Sequence, residues 1–192
     1  LAKQIPIYAE GIKKYVAGEP EAVLMVEFID EDLDLVRSKI KDLESLVKNQ
    51  NQNNHFRNYE NLEDQKEVFE IRKAGLNILM SLKGDKKPVA FIEDCAVTLD
   101  HLADYTSRLK EVFAKYNTNG MFYAHASVGT LHVRPVLNTK ADQDIKNMNA
   151  IAEEAFDMVK EYRGSHSGEH GDGIVRSEFH EKMFGKKILN TF

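Results

Sequence analysis

Two alternating runs, MFYAHAS (121–127) and LHVRPVLN (131–138), constrain the fold of this chain most. Side chains two apart in a strand share a face, and the intervening VGT has the length and the glycine of a tight connection, so the pair predicts an antiparallel β-hairpin. A helical pattern flanks it on each side. In LDHLADYTSRLKEVFAKY (99–116), Leu102, Tyr105, Leu109 and Val112 step by three and four, and NTNG (117–120) predicts a stop at its glycine. Residues 141–162 carry Ile145, Met148, Ile151, Ala155, Met158 and Val159 in the same rhythm.

The N-terminal half adds strand–helix units. EAVLMVEFI (21–29) is a continuous apolar run that predicts a buried strand. DEDLDLVRSKIKDLESLVK follows with Leu33, Val36, Ile40, Leu43 and Val47 on one face, and its acidic start suits the helix dipole. NQNQNNH (49–55) is a polar loop, and HFRNYE (55–60) predicts a short strand. Residues 62–82 read as a helix through Val68, Ile71, Leu76 and Leu79, with Gly75 its weak point, and PVAFIEDCAV (88–97) as another strand. VRSEFHEKMF (175–184) closes the chain as a short helix. The pattern predicts an α+β class: a largely antiparallel sheet of ferredoxin-like strand–helix units, helices on one side, and a helical C-terminal segment. The division drawn is 1–138 for the α+β part and 139–192 for the helical part.

Composition narrows the function. The 192 residues, 42% of them hydrophobic, bury a core as one domain or two small lobes. A net charge of −5 argues against a nucleic-acid binder, which presents a basic face. The single cysteine, Cys95, excludes an internal disulfide and an iron–sulfur cluster built by this chain alone, and fits a cytoplasmic setting. No run approaches the ~20 apolar residues of a membrane span, and no secretory signal is present.

Two constellations carry chemistry. In GSHSGEHGDGIVRS (164–177), His166, Glu169 and His170 match the H-x-x-E-H spacing of inverted zinc peptidases. That chemistry needs a helix, and Gly164, Gly168, Gly171 and Gly173 each cost a helix about 1 kcal/mol against alanine. A metallohydrolase is therefore the second choice. The segment lacks the order of a dinucleotide fingerprint and the lysine of a phosphate loop. In AHASVGTLHVRP, His125 and His132 lie on opposite arms of the hairpin, and two histidines with a distant carboxylate make a metal-ligand set. A strand histidine taken singly is more often just hydrogen-bonded. Arg134 shares the face of His132. Arg72, on a mostly apolar helix, suits a carboxylate clamp, although helix arginines are more often surface residues. Glu93 and Asp94 read as a solvated or salt-bridged strand edge.

Together, IRKAG, FIEDCAV, AHASVGTLHVRP and GEHGDGIVRSEF…MFG resemble the C-terminal, substrate-side domain of FAD-linked oxidases of the vanillyl-alcohol oxidase type. The nearest likeness is to D-lactate and D-2-hydroxyglutarate dehydrogenases of the branch fused to an iron–sulfur module. The resemblance implies that His125, His132 and Glu169 bind a divalent metal, zinc being the expected ion, that His170 is the catalytic base, and that Arg72 holds a substrate carboxylate. Arg134 stands where the hydroxyglutarate enzymes have a substrate-binding asparagine, Leu76 where they have threonine and Ile92 where they have lysine. These departures put that substrate pocket in question, while an arginine at 134 suits an acidic substrate. His166 is left as structural.

The implied reaction oxidises a D-2-hydroxy acid (D-lactate, glycolate or D-2-hydroxyglutarate) to the 2-oxo acid, with hydride passing to FAD. The family holds FAD mainly through an N-terminal domain with no counterpart before Leu1, and the chain stops short of the family's asparagine–proline ending. The resemblance thus implies partners in an FAD-binding domain and an iron–sulfur domain of the same polypeptide, membrane association only through electron acceptors, and a fragment inactive by itself. No residue here is assigned to the flavin. The third reading is a non-catalytic metal-binding module.

Overall fold

The computed structural model describes residues 6–50 and 55–191, apart from the side chains of residues 6–8, 76, 77 and 79. The chain divides into two compact units, Leu1–Ile78 and Leu79–Phe192. Among the described residues no helix is long and apolar enough to cross a membrane.

The first unit carries α1 (Pro6–Tyr15), α2 (Leu33–Gln50) and most of α3 (Leu62–Met80). Helices α2 and α3 match the 3.6-residue pattern, and α3 runs through Gly75. Tyr15 anchors α1: its ring meets Tyr59 edge-on at 5.2 Å, and its hydroxyl donates to Asp64 at 2.9 Å. Lys14 pairs with Asp64 and Glu67 at 2.9 and 3.0 Å. Ile12, Ala74 and Ile78 are buried.

Two expected strands are absent from this unit. Residues 22–30 have no regular structure, and Val23, Leu24 and Ile29 are 68%, 74% and 83% exposed. Residues 55–60 are also irregular. An apolar run signals a drive to burial, but a strand exists only where a second backbone accepts its hydrogen bonds, and among the described residues none pairs with these segments. The middle of the loop expected at 49–55, residues 51–54, lies outside the described residues, and α2 continues to Gln50.

In the second unit the hairpin forms as the alternation requires. Strand β3 (Gly120–His125) pairs antiparallel with β4 (Thr130–Leu137) from Gly120↔Pro135 to His125↔Thr130. A 3₁₀ turn over Ala126–Val128 and Gly129, at φ 72°, joins them. Gly129 is there for space as well as torsion, since a Cβ would stand 1.8 Å from the Val97 carbonyl oxygen. β4 is central: β1 (Lys87–Pro88) and β2 (Cys95–Ala96) both pair with its other edge, Lys87 opposite Leu137 and Cys95 opposite Leu131.

The expected strand 88–97 is therefore two short pieces around a turn at 91–94, where Asp94 takes φ 75°. That break sends the acidic pair Glu93–Asp94 away from a strand edge. Helix α4 (Leu99–Lys115) ends not at Gly120 but at Asn117, which adopts the left-handed conformation (φ 52°) that asparagine tolerates. Helix α5 spans Asp142–Glu161. The closing helix is in pieces, α6 (Gly173–Arg176), a 3₁₀ turn, α7 (His180–Phe184) and α8 (Lys186–Leu189), with positive φ at Gly171, Gly173 and Gly185.

Leu131, Val133 and Leu137 point from β4 into a core shared with Tyr105, Leu109 and Phe113 of α4 and with Ile151, Ala155, Phe156 and Val159 of α5. Residues on both sides of position 138 thus build one core. The mixed α+β class is as expected. Because side chains alternate along β4, its other positions, Thr130, His132 and Arg134, are turned away from the core residues Leu131 and Val133.

Candidate functional site

The polar face of the hairpin gathers its residues by register. Tyr123 lies opposite His132 and His125 opposite Thr130, so His125 and His132 are diagonal neighbours on one face. Their rings meet perpendicular, centroids 5.2 Å apart. The loop at 165–172 is brought to them through β2: Ala96 and Ser165 exchange backbone hydrogen bonds, and Gly168 N–H donates to the Asp94 carbonyl at 2.7 Å. A Cβ on Gly168 would stand 2.9 Å from Thr130 Oγ1, and one on Gly164 2.2 Å from the Ala96 carbonyl. These two glycines let the loop approach the Ala96 and Asp94 carbonyls and Thr130 closely.

Asp94 fixes the turn. Its carboxylate is fully buried and accepts the backbone N–H of Glu169 at 3.0 Å and of His170 at 2.7 Å. Burial pushes its pKa up, but those N–H donors, with the positive charges nearby, outweigh burial and leave it below the ordinary 3.8. Arg176, buried and 3.8 Å from Asp94, donates to the backbone carbonyls of Glu93 and Gly171. The reading of Asp94 as a strand-edge residue is corrected: it is an internal acceptor. Nothing in its residue type announced this, because the role comes from a positive-φ turn inside an apparent strand.

Held this way, Glu169 presents one oxygen to three imidazoles. Its Oε1 lies 3.1 Å from His132 Nε2, 3.1 Å from His170 Nε2 and 3.5 Å from His125 Nε2. The His170 ring stacks on His132 at 5.0 Å. Ligand atoms of Asp94, His132, Glu169 and His170 all fall within 4.8 Å of one another. His125 stands outside that group but within 3.5 Å of Glu169 Oε1, so the four residues picked out for metal binding and proton transfer all face this one oxygen. His132 is nearly buried, and desolvation lowers its pKa despite the neighbouring Glu93, keeping the ring neutral and able to donate a lone pair. Its Nδ1 is buried and has no hydrogen-bond partner among the described residues. His170 and Glu169 are half exposed.

Arg134 stands on the same strand face, with Nη2 2.6 Å from Glu93 Oε1 in a pair whose side chains are each 17% exposed. Glu93 also lies 3.8 Å from His132 Nδ1, so it is salt-bridged as expected and stands beside both site residues. Arg72 belongs to α3 in the first unit. The hydrolase arrangement does not form. Residues 163–172 contain no helix, and His166 turns toward Asp172 while His170 turns toward Glu169.

The sequence model of the FAD linked oxidases, C-terminal domain, matches residues 7–192. This chain belongs to that family. The FAD-linked oxidase domain is 30% identical to a D-2-hydroxyglutarate dehydrogenase of Haemophilus influenzae, over 98% of this chain and 19% of that protein. It is 26% identical to the mitochondrial D-lactate dehydrogenase (cytochrome) of Arabidopsis thaliana, over 88% of this chain and 29% of that protein. It is 24% identical to glycolate oxidase subunit GlcD of Bacillus subtilis, over 65% of this chain and 26% of that protein. The domain spans less than a third of each of these relatives.

Proposed function

We propose that this domain is the substrate side of a FAD-dependent dehydrogenase that oxidises a D-2-hydroxy acid to the 2-oxo acid. His125, His132 and Glu169 hold a divalent metal of the zinc class, and His170 acts as general base. The observation that carries the reading is the convergence of three imidazole nitrogens on one Glu169 oxygen, in a domain whose relatives bear the names of 2-hydroxy-acid enzymes.

The donor set fits a borderline metal. Two imidazoles and a carboxylate, with the His132 ring nearly buried, match zinc's preference and leave a position for a ligand oxygen. Such an ion supplies Lewis acidity that lowers the pKa of a bound hydroxyl, and the flavin, held by a separate domain of the same polypeptide, supplies the hydride acceptor.

The remaining work falls to the chain's own residues. His170 Nε2 takes the hydroxyl proton; its ring is open to solvent while its backbone is fixed through Asp94, and a placed base contributes typically ~10²–10⁴-fold. Arg134 offers a guanidinium fork to a carboxylate from the same strand face, with Glu93 holding it in place. Glu169 Oε1 faces the Nε2 atoms of all three rings, the arrangement of a carboxylate and imidazoles that would share one cation.

The test is anaerobic reduction of the flavin in the full-length holoprotein by D-lactate, D-2-hydroxyglutarate, glycolate and the L-isomers, for wild type and His170→Ala. Bleaching by a D-acid or glycolate, slowed at least about 100-fold in the variant, is expected. Bleaching by none of them removes the 2-hydroxy-acid assignment and leaves a metal-binding module.

A further inference from the structure

On the other side of the glycine-rich loop lies a second cluster that plays no part in the reaction above. His166 Nε2 is 3.1 Å from Asp172 Oδ1, and His180 Nε2 is 2.9 Å from Asp172 Oδ2. One ligand atom from each residue falls within 4.8 Å of the other two. The His166 and His180 rings stack 5.8 Å apart, with Phe156 and Phe184 packed around His166. We propose that His166, Asp172 and His180 form a second metal site, for a divalent ion of the zinc class, that clips the 165–172 loop to α7.

The second observation behind this is the state of His166. It is fully buried, and among the described residues neither ring nitrogen makes a hydrogen bond, although Nε2 stands 3.1 Å from Asp172 Oδ1. A buried polar atom left so costs about 1–3 kcal/mol, and metal coordination removes that cost at Nε2.

The spacing suits a shared ion. Ligands of one tetrahedral zinc, each bound at ~2.0–2.2 Å, stand roughly 3.3–3.6 Å apart, so small side-chain rotations admit the metal. His180, about one-fifth exposed, is the way in for the ion and for a water as fourth ligand. Arg176 opposes a cation, with Nε 3.2 Å from Asp172 Oδ1. Its charge is shared by Asp94 at 3.8 Å and by the carbonyls of Glu93 and Gly171, which leaves Oδ2 for the ion. An apolar surround and a site closed but for one water describe a structural ion, not a reactive one.

Zinc titration of the metal-free full chain tests this, with the stoichiometry read by metal analysis and site symmetry by cobalt absorption. Wild type should take two ions and His125→Ala/Glu169→Gln one. Adding His180→Gln, which keeps a hydrogen bond to Asp172 but is a poor ligand, should remove the second. Its affinity should fall beyond the ~10–100-fold that loss of a partner behind a ligand costs. Zinc should raise the melting temperature of His125→Ala/Glu169→Gln and leave the triple variant unmoved. No ion in His125→Ala/Glu169→Gln, or equal binding by the triple variant, overturns the proposal. If His180→Gln unfolds the metal-free chain, the first double variant decides alone: one ion retained supports the site and none refutes it. A wild type holding one ion that survives in His125→Ala/Glu169→Gln keeps this site and discards the hairpin site.

Discussion

The Asp94 carboxylate receives the backbone N–H of His170 at 2.7 Å across 76 residues of chain. A buried anion in the core half of the domain thereby sets where a solvent-facing imidazole stands. Asp94→Ala removes the acceptor of the Glu169 and His170 N–H groups, and because both bonds are only part-buried the cost should lie near the lower end of the ~1–3 kcal/mol of an unpaired buried group for each. Asp94→Asn keeps one acceptor oxygen and tolerates the positive φ, so it should cost less. Urea unfolding of the two variants should place Asn between wild type and Ala; equal stability of Ala and wild type would show that the anchor carries nothing.

The same carboxylate makes stability pH-dependent. Its folded pKa lies below the unfolded 3.8, so its contribution is fully present above about pH 4 and is lost as pH falls through the folded value. Acid titration followed by circular dichroism should show wild type losing stability below pH 4. Asp94→Asn should lose less over that window, its deficit being largest at neutral pH.

The hairpin, α4 and α5 were legible because each satisfies its pattern locally: period two at 121–137, period 3.6 at 99–115 and 142–161. His125 and His132 could be paired for the same reason. Joint occurrence in the sequence suggests Glu169 and His170 as their companions, but their roles come only from the family resemblance, since the contacts that carry the loop there, Ala96 with Ser165 and Asp94 with Gly168, are backbone to backbone. Such contacts write little into side-chain identity beyond glycine. Asp94, Asp172 and His180 were missed: nothing in spacing distinguishes a buried acid that caps a turn from an exposed one. Residues 21–29 misled in the opposite direction, because apolar continuity specifies a wish for burial and not a partner.

Cys95 should be chemically silent in the folded chain. It is fully buried, donates to the Ile92 carbonyl at 3.4 Å, and burial raises its thiol to about 12. Only the thiolate alkylates. Iodoacetamide at pH 8 should leave the native chain unlabelled and modify one site after denaturation; rapid native labelling would place Cys95 outside the core.

Gly129→Ala should weaken the hairpin turn. The residue needs φ 72° and sits where a Cβ would press on the Val97 carbonyl at 1.8 Å. Backbone must move, so the loss should exceed the ~1 kcal/mol typical of alanine at a glycine-only torsion. Because the turn sets the register of His125 against His132, zinc affinity at the proposed hairpin site should fall together with stability. A variant that melts like wild type would mean the turn relaxes freely.

Arg134 and Glu93 form the pair whose separation should matter most beside the site. At 2.6 Å with both side chains mostly buried, it lies between the surface case, worth under about 1 kcal/mol, and the buried case, where removing one partner costs about 3–5 kcal/mol. Arg134→Met leaves the Glu93 charge facing His132 Nδ1 at 3.8 Å, and Glu93→Gln leaves the guanidinium uncompensated beside Met80. Each single variant should lose about 1–3 kcal/mol, and the double variant Arg134→Met/Glu93→Gln should recover part of that, giving a coupling energy within the ~0.5–3 kcal/mol range of contacting residues. A cycle that closes to zero would show that solvent already screens the pair. Arg134 would then be free to turn to a substrate carboxylate at no cost to the fold.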